Sequence, residues 1–179
     1  LTTLDAIRVL QAQKPFGAND IARVVVSGSQ VTMDHVGWKY SPDGLTAAQL
    51  NLPYCVATLL LDGDCFVDQF TDAMVADPAR MALAEKVEVR HDAEITARGS
   101  KFRHMVKVEV QLNDGSRLNT TVEAPRGSER NFASASDVVH KFEQLASHAL
   151  SPLQTSELRD AVLGLENLSD AGRIVDLMQ

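Results

Sequence analysis

Hydrophobic and polar positions follow two rhythms along this chain, and the changes between them outline most of its elements. Val106, Val108, Val110 and Leu112 alternate with Lys107, Glu109 and Gln111, the period of a half-buried strand. Asn113-Asp114-Gly115-Ser116 then supplies turn residues, and Leu118, Thr120 and Val122 resume the alternation, which predicts a β-hairpin. The β-branched run from Ile21 to Gly28 predicts another strand, and Val87 to Arg90 a short one. Leu4, Ile7 and Leu10 share one face of a helix, with Thr3 as its cap and Pro15 beyond its end. A helical stretch opening at Thr46 is broken at Asn51-Leu52-Pro53, then restarts and runs to Leu61 before Asp62-Gly63. Residues 68–76 and 77–86 read as two short helices, the second opened by Asp77-Pro78. Between Ser29 and Gly44 no period is visible, and the segment reads as irregular.

The last third is helical. Ser134 with Asp137 has the spacing of a capping box, and Val138, Phe142, Leu145 and Ala149 form an apolar stripe behind it. Ser151-Pro152 opens a helix through Leu158, Val162 and Leu165, and Ser169 a last short one. The order of elements predicts an α+β fold, an antiparallel β-sheet covered by helices.

Composition narrows the function classes. The chain has 179 residues, 45% hydrophobic and 23% charged, enough for one well-buried core. A net charge of −7 with scattered lysines and arginines argues against nucleic acid or an anionic membrane as partner. No segment approaches the roughly 18 apolar residues of a membrane span. The N-terminal sequence has no basic signal region and reads as helix from the start, as in a piece cut from something longer. Cys55 and Cys65 form neither a C-x-x-C nor a zinc pattern, which fits free thiols in a reducing cytoplasm.

No self-sufficient catalytic motif is present. Nucleophile elbow, P-loop, dinucleotide fingerprint and zinc-protease helix are all absent. His91, His104, His140 and His148 read as ordinary surface or core histidines. Asp62, Asp64 and Asp68 around Gly63 read as a helix-ending turn, because the glutamate that completes a calcium loop is missing. Tyr54 stands out as a single phenol at the start of an otherwise apolar helix. Such a group either anchors packing or donates a proton into a cleft. His35, Trp38, Lys39 and Tyr40 cluster within six residues, and read either as an anion pocket or as the anchor of a loop.

Several stretches taken in order resemble the MmgE/PrpD family. Ala47 to Ala57 (AAQLNLPYCVA) is similar to the family's tyrosine-bearing helix, and Leu60-Leu61-Asp62-Gly63 with Asp68-Gln69-Phe70 to its continuation. Asp77-Pro78 through Lys86-Val87-Glu88-Val89, Leu112-Asn113-Asp114-Gly115, and Pro125-Arg126-Gly127 leading to Lys141-Phe142 match later elements. The resemblance implies the smaller α+β lid domain of a two-domain enzyme, over residues 1–150, with closing helices over 151–179 that pack on an absent all-helical domain. Leu4-Asp5-Ala6 resembles the helix that follows the family's lysine- and histidine-containing segment.

The family acts on small di- and tricarboxylic acids through proton transfer beside a carboxylate, without metal or organic cofactor. The resemblance therefore implies no cofactor and a small carboxylic-acid substrate. It implies two partners, the helical N-terminal domain and a second copy in a homodimer. Water elimination of the 2-methylcitrate dehydratase type comes first, with epimerase or decarboxylase chemistry, or a non-catalytic assembly role, as alternatives. The isolated chain is expected to be inactive. Tyr54 is the residue the resemblance carries over as catalytic. His35 and Lys39 are candidate substrate-binding residues on their chemistry alone.

Overall fold

The strand Ile21–Gly28 (β1) lies inside a four-stranded sheet of order β2-β1-β3-β4, completed by Val87–His91 (β2), Val106–Leu112 (β3) and Arg117–Val122 (β4). The computed structural model describes all 179 residues. They fall into two units, Leu1–Asn131 and Phe132–Gln179.

In the first unit β3 follows its sequence pattern, with Val106, Val108, Val110 and Leu112 turned to the core. The β3–β4 hairpin closes as predicted, Val110 facing Leu118 and Val108 facing Thr120. β1 pairs antiparallel with β3, with an irregularity between Ile21 and Arg23 that the extra residue Ala22 accounts for. The α+β class is as expected, but the sheet is mixed, because β1 and β2 run parallel with Val24 opposite Val87. A parallel pair needs a long crossover. Here it is built from Gln30–Val36 (α2), Leu45–Leu50 (α3), Leu52–Asp62 (α4), Asp72–Val75 (α5) and Pro78–Ala84 (α6).

The helix Thr2–Gln13 (α1) buries Leu4, Ala6, Ile7 and Leu10. Thr3 is itself buried inside the helix rather than capping it, since the helix begins at Thr2 with Leu1 in the cap position. α4 is buried from Leu52 through Leu60 and packs on α6, α1 and β2. Its restart has a clear cause. The Asn51 side-chain oxygen accepts the Tyr54 N–H at 2.9 Å, and Pro53 sits in the first turn, where no donor is lost. It stops at Gly63, whose φ of 76° suits glycine.

Two helices depart from the sequence reading. α2 occupies part of the stretch expected to be irregular, and Ala93–Ala97 (α7) is a further short helix. Both are too short to show a period. Ser29 and Asp92 cap them.

The second unit holds Ala135–Ala146 (α8), Pro152–Leu163 (α9) and Gly172–Leu177 (α10). Capping boxes at Ser134/Asp137 and Ser151/Gln154 start the first two, and Arg159 bridges from α9 to Glu143 on α8 at 2.7 Å. α8 therefore groups with α9 and α10 in the unit Phe132–Gln179. Val138 of the α8 stripe is 59% exposed.

Candidate active-site groove

Tyr54 lies in the core. Its exposure is 0%, and its hydroxyl donates to the Gln69 carbonyl at 3.1 Å. Its ring packs between Tyr40, 4.8 Å away, and Phe70, 5.7 Å away. Burial raises its pKa above the usual tyrosine value, so the phenol keeps its proton. Within this chain Tyr54 opens into no groove, because Gln69, in the short turn at 67–69, and Phe70 lie against it. Tyr54→Phe should accordingly cost about 1 kcal/mol, the net value of one hydrogen bond, and leave turnover of the full-length enzyme unchanged. Urea unfolding and kcat, measured side by side, check both halves. A collapse of kcat with little loss of stability would restore the catalytic role.

The loop after α2 is anchored by its polar groups. The Tyr40 hydroxyl donates to the Val75 carbonyl at 2.7 Å, and burial, then the neighbouring Tyr54, push its pKa up to about 12. The Trp38 carbonyl accepts from the Asn51 amide at 2.8 Å. Lys39 lines a groove of about 530 Å³ with Trp38, Tyr40, Met81 and Glu85.

His35 lies elsewhere. It is in the last turn of α2 and lines a separate groove of about 380 Å³, walled by Val31, Leu50, Leu52 and Val106. His35 and Lys39 are thus four residues apart in sequence but in different grooves, and Tyr54 lines neither. His104, from the segment just before β3, lines the same groove.

Hydroxyl groups make these two histidines neighbours. The carbonyl of Arg103 accepts from Ser29 Oγ at 2.7 Å and from Thr32 Oγ1 at 3.3 Å, which ties the start of α2 to the approach to β3. The Arg103 guanidinium donates from Nε to His104 Nε2 at 3.0 Å. That bond assigns the imidazole proton to Nδ1. Burial, and then the Arg103 charge, hold the His104 pKa below the usual histidine value, and His35 acts in the same direction. His104 is therefore neutral at neutral pH. A groove with apolar walls, two imidazoles and a guanidinium beside one of them suits a small acid with an unsaturated or aliphatic backbone.

Sequence reading named His35 but passed over His104. Its hydrogen-bond partner Arg103 is its neighbour in sequence, but nothing local marks the groove, which His104 shares with Val31 and His35 from far upstream. Elsewhere the acidic patch dissolves into separate roles. Asp62 binds Arg80 and Asp64 binds Arg8. No group of three or more His, Cys, Asp or Glu side chains is arranged to hold a metal ion. No helix is long and apolar enough to cross a membrane.

The family model described as the MmgE/PrpD C-terminal domain matches residues 1–167. A cis-aconitate decarboxylase of Aspergillus terreus (strain NIH 2624 / FGSC A1156) is 29% identical over 184 residues, covering 98% of this chain and 37% of that protein. The cis-aconitate decarboxylase-like protein oryM of Aspergillus oryzae (strain ATCC 42149 / RIB 40) is 27% identical over the same length and coverage. The chain thus spans 37% of the length of these curated relatives. With its family model running from the first helix almost to the end of the second unit, the chain belongs to the MmgE/PrpD family and represents its C-terminal domain.

Proposed function

We propose that this chain is the C-terminal, substrate-facing part of a lyase acting on small di- or tricarboxylic acids, and that the His35–His104 groove is its share of the substrate site. The observation that carries this reading is the pairing of two imidazoles on apolar walls, one of them held neutral beside an arginine. Neutral His104 offers its Nδ1–H to a substrate carboxylate, and the Arg103 cation adds attraction for the same anion. His35 is the group placed to move a proton at the carbon next to that carboxylate. Similarity to a cis-aconitate decarboxylase and to a decarboxylase-like protein moves the preferred reaction from water elimination to loss of carbon dioxide from a cis-aconitate-like acid. The remaining length of such an enzyme supplies the all-helical domain and the other reacting groups. No resident cofactor enters this reading, and a homodimer is the assembly it favours.

The test is an assay of the full-length enzyme on cis-aconitate, 2-methylcitrate and iminodisuccinate, with His35→Ala and His104→Ala beside the parent. Each variant should lose about 10²-fold in kcat/KM, the usual worth of a positioned acid–base group. The His35 loss should lie in kcat, and the His104 loss mainly in KM. Parent-like kinetics in both variants would remove the groove from the active site. The 179-residue chain alone should turn over none of the three acids.

A further inference from the structure

β2 is an edge strand. It pairs with β1 alone, and its other side lies open. The ladder determines which backbone groups face that side. The Val24 N–H donates to the Lys86 carbonyl at 2.9 Å, and the Asp92 N–H to the Gly28 carbonyl at 2.7 Å. Even-numbered positions of β2 therefore point their N–H and C=O at β1. Val87, Val89 and His91 point theirs outward, and none of these groups meets a hydrogen-bond partner elsewhere in the chain. Val87 and Val89 also wall the groove beside Trp38, which is 39% exposed.

Sheet edges are usually guarded against further pairing by proline, lysine or a bulge. Val87–His91 has none of these, and its register with β1 runs unbroken. Val87 and Val89 turn toward the helices. Glu88 and Arg90 stand on the opposite face, their side chains 40% and 50% exposed. There Glu88 pairs with Arg90 and with Arg23 of β1.

We propose that β2 pairs antiparallel with β2 of a second copy about a twofold axis at Val89, joining two four-stranded sheets into one. The strand is self-complementary in this register. Val89 faces its own counterpart and Val87 faces His91, each pair exchanging both backbone bonds through the groups left open. Glu88 then stands directly opposite Arg90 of the other copy, in the closer, non-hydrogen-bonded positions, and the twofold repeats the pair. A slip of two residues either way sets Glu88 against Glu88 or Arg90 against Arg90, so charge selects the register. The contact supplies a face for the homodimer favoured above and does not depend on the lyase reading.

The test follows the mass of the 179-residue chain by sedimentation velocity across a wide range of concentration, with amide exchange at both ends of that range. The parent should pass from monomer to dimer, and the amides of Val87, Val89 and His91 should slow as it does. Glu88→Arg or Arg90→Glu sets like charges opposite one another twice over, and each should weaken the dimer about tenfold or more. Mixing the two folded variants should restore it, because one then carries cations at both positions and the other anions. The double variant, Glu88→Arg with Arg90→Glu, should dimerise like the parent. A parent that stays monomeric overturns the proposal, since the edge then serves another partner or none. So do amides that stay fast in the dimer, a dimer that neither single variant weakens, or a mixture of folded variants that fails to pair. Exchange at the parent's own amides decides the matter even where a variant does not fold.

Discussion

Replacing Asn51 with alanine should lower the unfolding free energy of the first unit by about 3 kcal/mol. Asn51 is fully buried at the junction of α3 and α4 and serves both of its neighbours. Its Oδ1 caps α4 by accepting the Tyr54 N–H, a role worth about 1 kcal/mol. Its Nδ2 donates to the partly buried Trp38 carbonyl, and leaving that acceptor unpaired costs a further 1–3 kcal/mol or so. Asn51→Asp separates the two roles, since it keeps the cap and loses the donor. Urea unfolding followed by the fluorescence of Trp38, the single tryptophan, reads the change where it occurs. A loss under about 1 kcal/mol for Asn51→Ala would mean that water enters and replaces both bonds.

The second large effect lies at the far end of the same helix. Asp62→Ala should destabilise the unit by about 3–5 kcal/mol, because it leaves a buried charge without its partner. The Arg80 side chain is only 6% exposed, and its Nη2 donates to both oxygens of Asp62 at 2.9 and 2.7 Å. Asp77 stands 3.7 Å from Nε, beyond hydrogen-bond reach, and neither Nε nor Nη1 has a hydrogen-bond partner. Removing the charge as well should reverse the damage, so Asp62→Leu with Arg80→Met should recover most of the parent stability. A double-mutant cycle by urea denaturation measures the coupling directly. Additive single and double variants would show that the pair does not hold α4 to α6.

What the chain disclosed in advance was what its neighbours in sequence determine. The β3–β4 hairpin rests on alternation and an Asn-Asp-Gly-Ser turn, and the restart of α4 on Asn51 and Pro53. Both are local, and both were legible. The parallel pairing of β1 with β2 was not, because it depends on where a crossover of five helices delivers Val87. α2 and α7 were hidden for a related reason. Each is a turn or two long and owes its place to a cap and to distant partners, such as Arg103 for Ser29 and Thr32.

The site divided along the same line. His35 attracted notice through the company it keeps in sequence, whereas His104 becomes interesting only once two hydroxyls have drawn α2 against it. The direction of Tyr54 was hidden because nearly every position of α4 is apolar. With no polar face to orient the helix, the side exposed to solvent cannot be read from the pattern, and the structure leaves almost none exposed.

The uneven distribution of burial also sets an order of opening. The second unit encloses only Thr155, Leu158 and Leu177, and α8 buries nothing, while nearly all the residues shielded from water lie in the first unit, most densely in α1, β1, β3 and α4. Backbone amides of α8 to α10 therefore exchange with solvent, and meet proteases, at a far smaller free-energy cost than those of the sheet. The segment around Phe132 is where the molecule comes apart first, leaving residues 1–131 as the resistant core.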